Sequence, residues 1–162
     1  MREREIIVLP PQSWSDPARH PELFDAIAIR RILAYLVDIV LVMGITALVW
    51  MGLGILGVLT LGLLLPLQAL AVALVPLTYH IVLIASPGAA TVGMRLAGIR
   101  VADIADGGPP SLAQAFIQII AFFGSIAATA SFILLVALFN PRRRTLHDFL
   151  AGTVVINTQK RL

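Results

Sequence analysis

The sequence predicts an all-α integral membrane protein: a helical hairpin of two segments, then a long, bent or re-entrant third apolar segment, with short strand-like pieces on the cytoplasmic face. Three observations carry that prediction. Of the 162 residues, 59% are hydrophobic and 13% charged, with a mean hydropathy of +0.93, whereas soluble domains carry roughly 25% charged residues. After Asp38, no Asp, Glu, Lys or Arg occurs until Arg95. The 12 Lys and Arg residues fall in three places, residues 2–31, Arg95 with Arg100, and Arg142 onward, flanking apolar runs as topology-setting charges do.

Three regions follow: a polar arm over residues 1–28, a membrane domain over 29–158 and a basic tail over 159–162. The arm is punctuated by Pro10, Pro11, Pro17 and Pro21 and matches no signal peptide. It is expected to lie on the membrane face, with Trp14 and Phe24 at the headgroups. Segment I, residues 30–55, reaches about 39 Å as a helix, enough to cross a hydrocarbon core of about 30 Å with some tilt. Its far end is rich in glycine (Gly52, Gly54, Gly57), and an uncharged linker follows to Pro66. Segment II, residues 67–85, stops at Ser86, Pro87 and Gly88. Pro76 should kink it beside Thr78, Tyr79 and His80.

Residues 98–104 alternate as a short strand does, and Asp106, Gly107, Gly108, Pro109 and Pro110 make a turn. Segment III spans residues 112–139 with Ser111 as N-cap. At about 42 Å it is long for one crossing and short for two. Gly124, Ser125 and the small residues after them permit a bend that would leave both termini cytoplasmic. The tail carries another strand-like run from Gly152 to Ile156. Loop and tail also resemble each other: Thr91, Leu96, Ala97, Gly98 and Val101 recur 54 positions later as Thr145, Leu150, Ala151, Gly152 and Val155. Five matches among common residue types fit either an internal repeat or coincidence. If real, the repeat makes two like elements on one membrane face, able to pair strands.

The net charge of +3 and pI of about 10.2 do not indicate nucleic-acid binding, because the basic clusters lack interleaved aromatics and any recognition-helix pattern. With no cysteine, thiolate chemistry and Cys-ligated metals are excluded. No phosphate loop, dinucleotide fingerprint, nucleophile elbow or zinc-protease motif is present, so neither an enzyme nor a cofactor is expected. His147 beside Asp148 lacks a third ligand at a metal-binding spacing, and no metal is expected.

Asp38 is the main candidate site residue. An ionisable group in an apolar segment is costly and is kept for a partner or a task. Arg31, Ala34, Tyr35 and Asp38 share one helical face, with Arg31 and Asp38 about 10.5 Å apart in rise. That is too far for a rigid salt bridge. Asp38 should therefore take its donor from another segment: His80, the arginines at 142–144, or Gln114 and Gln118. It either locks helix packing or binds a cation or proton. His80 is a second candidate for proton binding, or a packing residue. Arg142, Arg143 and Arg144 suit anionic lipid headgroups and topology marking.

Taken in order, three motifs look like one known family. Arg31 with Ala34 and Asp38, then Gly93, Arg95, Gly98 and Val101, then Arg144, Leu146, His147, Asp148, Ala151, Gly152 and Thr153 resemble the RDD family of small integral membrane proteins. The resemblance covers residues 24–158 and implies that the arginine and two aspartates of the family name are Arg31, Asp38 and Asp148. Two positions depart from the pattern: Met94 stands where a lysine is usual, and Gln118 where an arginine is often found. Both remove positive charge near the aspartates. The resemblance implies a bacterial cytoplasmic membrane, and the basic flank places the N-terminus inside. Family members are mostly unassigned, with transport, including sodium/proton exchange, suggested for some. Two functions are therefore expected. One is transport of a cation or proton through Asp38 in a homo-oligomer, since so few spans hardly enclose a pathway alone. The other is a non-transporting membrane scaffold or accessory subunit in which Arg31, Asp38 and Asp148 hold the fold.

Overall fold

A computed structural model describes residues 15–129 and 145–158. Trp14 and the prolines before it, residues 130–139 of segment III, Arg142, Arg143 and Arg144, and the tail 159–162 lie outside the described residues.

After a 3-10 turn at Pro21–Leu23, helix α1 runs over Ile27–Leu59 and helix α2 over Leu65–Ile84. At 33 and 20 residues they extend about 50 and 30 Å. Both are long and apolar enough to cross a membrane. Helix α1 exceeds the expected segment at both ends. Ile27 extends it at the start by packing into the core at 1% exposure. The glycine-rich end stays helical because it packs on α2: a side chain at Gly57 would lie 3.2 Å from Leu65 Cδ2, and tertiary packing outweighs poor helix propensity. Away from this contact both helices present large apolar side chains outward, among them Val40, Leu48, Val58, Leu67 and Leu70. In water so continuous an apolar surface would be strongly unfavourable, and in lipid it is not.

The chain then builds the same unit twice. Helix α3 (Val92–Leu96), Gly98 and strand β1 (Ile99–Asp103) form the first. Helix α5 (Leu146–Ala151), Gly152 and strand β2 (Thr153–Asn157) form the second. Thr91 and Thr145 are the N-caps, and Gly98 and Gly152 turn the chain in the left-handed region at φ 69° and 66°. The strands pair antiparallel with Val101 opposite Val155. Those two valines are equivalents in the repeat, so a local twofold axis passes between them.

Between the units, helix α4 covers Leu112–Thr129 and continues through Gly124 and Ser125. Its start is reciprocally capped, with Ser111 Oγ accepting from Gln114 N at 3.2 Å and Gln114 Oε1 accepting from Ser111 N at 2.8 Å. The core lies where the sheet meets the helices: Ile99, Val101, Val154 and Val155 pack with Ile27, Ile84, Ala115 and Ile119. Asn157 Nδ2 donates to the carbonyls of Glu22 and Asp25 at 2.9 and 3.0 Å. Loop, tail and the start of α1 are thereby joined at one end of the molecule.

Candidate functional site

Helix α1 meets each repeated unit through a different polar side chain, seven positions apart on one face. Asp38, 4% exposed, faces the first unit. Its Oδ1 accepts from Tyr79 Oη at 2.7 Å and Gly93 N at 2.9 Å, and its Oδ2 accepts from Thr91 Oγ1 at 2.6 Å. Thr91 Oγ1 also accepts from Met94 N at 3.2 Å, and Tyr79 Oη from Val92 N at 3.3 Å. One carboxylate thus joins α1, α2 and the start of α3. Burying it would cost several kcal/mol without donors, and charge-assisted bonds of this kind offset the cost. Among the described residues no Lys, Arg or His forms an ion pair with Asp38.

Gly93 permits the approach. A Cβ there would overlap the Ala34 carbonyl oxygen and lie 2.9 Å from Asp38 Cγ. Ala34 itself is 2% exposed, which accounts for the spacing of Arg31, Ala34 and Asp38 as a docking face.

Arg31 and Asp148 form the second contact. Arg31 Nη2 donates to Asp148 Oδ2 at 2.5 Å, and Arg31 Nη1 reaches Thr145 Oγ1 at 3.4 Å. Asp148 is fully buried and caps its own helix, accepting Thr145 N at 3.0 Å. Gln118 Nε2 reaches its other oxygen at 3.0 Å. Burial alone would raise the Asp148 pKa. The Arg31 guanidinium, His147 and the Thr145 N–H reverse this and hold it below the ordinary carboxylate range. His147 lies 2.7 Å from Thr145 Oγ1. Burial lowers its pKa, Asp148 opposes that, and Arg31 adds to it, so the ring is held below the ordinary histidine range. The two units thus differ: α5 carries its capping carboxylate internally, whereas α3 has Met94 at that position and receives Asp38 from α1.

Of the expected donors for Asp38, the arginines at 142–144 lie outside the described residues and the other three are engaged elsewhere. His80 Nδ1 meets the Pro76 carbonyl at 2.8 Å, Gln114 Nε2 donates to Asp103 Oδ2 at 2.9 Å, and Gln118 serves Asp148. The actual donors are a tyrosine hydroxyl, a threonine hydroxyl and a backbone N–H. Thr91 was visible in the repeat and Gly93 in the family motif, but nothing in the sequence tied them to Asp38. Arg30 is also absent from the sequence reading: its Nη1 donates to the Ala97 carbonyl at 2.8 Å, satisfying an end carbonyl of α3. Gly98, Gly152 and Thr153 stand at the helix-to-strand junctions, and Thr153 pairs opposite Asp103. Arg144 lies outside the described residues. Among the described residues no group of three His, Cys, Asp or Glu side chains is placed to hold a metal.

Two long apolar helices, clasped at one end to a small paired-strand unit through buried carboxylates, support the class of a small helical membrane protein. The family model for the RDD family matches residues 26–152, and the chain belongs to that family. No curated protein and no solved structure matches the chain.

Proposed function

We propose that the protein is a small multi-pass membrane scaffold or accessory subunit, in which Arg31, Asp38 and Asp148 are a structural clasp and not an ion pathway. The observation that supports this reading best is the engagement of Asp38 by the protein's own donors. Both carboxylate oxygens are occupied by three protein donors within 2.6–2.9 Å. A carrier site keeps acceptor positions open for its ion, whereas here the protein's own donors fill most of them. On this reading the basic end of α1, the loop and the tail face the cytoplasm. The pairing of β1 with β2 favours an even number of crossings between them, in line with a returning third segment.

The test is Asp38→Asn in the full chain. The amide turns an acceptor into a donor facing Thr91, which already serves Met94 N. The expected result is misassembly, read as loss of the monodisperse peak in detergent size-exclusion. If the variant assembles normally, while proteoliposomes of the parent carry a sodium or proton flux that the variant loses, the ion-transport function stands in its place.

A further inference from the structure

A cavity of about 410 Å³ opens between α1, α2, α4 and the second unit, within the range of about 300–1,000 Å³ typical of small-molecule sites. Its wall is mainly apolar and aromatic: Ile32, Tyr35, Ile84, Ile119 and Phe122 line it, with His80 at one side. The Tyr35 and Phe122 rings meet edge to face at 5.8 Å, which fixes that wall.

The polar groups around it limit what it can hold. Asp38 and Arg31 both line the cavity, but the carboxylate already accepts three hydrogen bonds and the guanidinium is paired with Asp148. Among the described residues an anionic or cationic guest would meet no free counter-charge, and an unpaired charge in such a wall is strongly unfavourable. His80 is different. The Pro76 carbonyl can only accept, so in the neutral ring the bond at 2.8 Å is donated by Nδ1–H. That leaves Nε2 as an acceptor. Nε2 has no partner among the described residues, and it is not one of the atoms sealed from access.

We propose that this cavity binds a neutral lipophilic alcohol or phenol drawn from the bilayer, its apolar body against Tyr35, Phe122 and Ile119 and its hydroxyl donating to His80 Nε2. The site borders the clasp, whose Arg31 and Asp38 form part of its wall, but the clasp would hold the same helices around an empty cavity.

The test uses the full chain in detergent micelles and three photoactivatable dodecyl probes with the same diazirine-bearing tail: an alcohol, a carboxylate and a trimethylammonium. The expected result is saturable labelling of cavity residues by the alcohol alone, competed by plain dodecanol. His80→Phe keeps an aromatic ring but removes the acceptor. It should weaken labelling by about three- to tenfold, the share of one lost hydrogen bond. Ala28→Leu fills the cavity from the α1 side and should abolish labelling with the size-exclusion profile unchanged. If His80→Phe does not fold, Ala28→Leu decides alone. Equal labelling by all three head groups, labelling that never saturates, or labelling that survives Ala28→Leu overturns the proposal. Asp38→Asn is not used here, so failure of this site and failure of the clasp reading give different results.

Discussion

At the scale of single residues, the docking of α1 depends on one missing side chain. Gly93 lets its own N–H reach Asp38 and lets α3 approach the Ala34 carbonyl. Gly93→Ala forces those backbones apart and lengthens at once the two hydrogen bonds that Thr91 and Gly93 give to Asp38. Overpacking of this kind costs about 1–3 kcal/mol, a fall in Tm of roughly 3–10 °C for a chain of this size. Gly44 is the control, because a Cβ there meets nothing within 4 Å. Gly44→Ala should be neutral or mildly stabilising, since alanine is the better helix former. Thermal denaturation of both variants in one detergent checks this, and equal effects would remove the steric argument.

The buried groups around Arg31 set a pH dependence of defined sign. His147 is held below its ordinary pKa first by burial, with Arg31 adding to the effect. The unfolded chain therefore binds more protons than the folded one once the pH drops below about 6.5. Stability is complete above that value and declines as the pH falls towards the lowered folded pKa. Asp148, also lowered, adds a second loss below about pH 4. Tm should fall between about pH 7.5 and 5.5, and His147→Gln should flatten that part of the profile. A Tm that rises on acidification would contradict the assignment.

At the scale of elements, the two strands were legible, whereas the short helices before them and their partners were not. The strand-like runs after Gly98 and Gly152 showed in the sequence, and the repeat stood there beside coincidence, but helices of five and six residues are too short to leave a periodic signal. Which side chain satisfies which helix end is a matter of tertiary approach. Asp38 was legible as a buried carboxylate because the sequence around it is apolar. Its donors were not, because Tyr79 lies 41 positions away and Thr91 lies 53. The two turns also differ in a way that only contacts show. A Cβ at Gly98 would lie 3.1 Å from Arg30 Nη1, whereas at Gly152 the nearest atom is Gln114 Nε2 at 3.9 Å. Both substitutions to alanine carry the left-handed penalty of about 1–2 kcal/mol. Gly98→Ala additionally displaces the guanidinium that satisfies Ala97. Gly98→Ala should be the more destabilising of the two in parallel melts, and the reverse order would mean that Arg30 contributes little.

At the scale of the whole molecule, strand pairing constrains topology more than charge counting does. Segment length alone left the third segment between one crossing and two, since about 42 Å fits neither. Val101 opposite Val155, and Asn157 bonded to Glu22 and Asp25, bring arm, loop and tail to one end of α1. Leu61, in the turn between α1 and α2, lies beyond the opposite end of the same helix and is 97% exposed. If α1 and α2 cross the bilayer, the start of α1, the loop with Arg95 and Arg100, and strand β2 share one side and Leu61 takes the other. The chain has no cysteine, so single substitutions report position without background. Asp106→Cys and Thr158→Cys should react together with a membrane-impermeant maleimide only from the inside of sealed right-side-out vesicles, and Leu61→Cys only from the outside. Labelling of Thr158→Cys from the same side as Leu61→Cys would require the chain to cross once between β1 and β2. A strand pair split across a bilayer cannot form, so that single result would remove both the sheet and the clasp built on it.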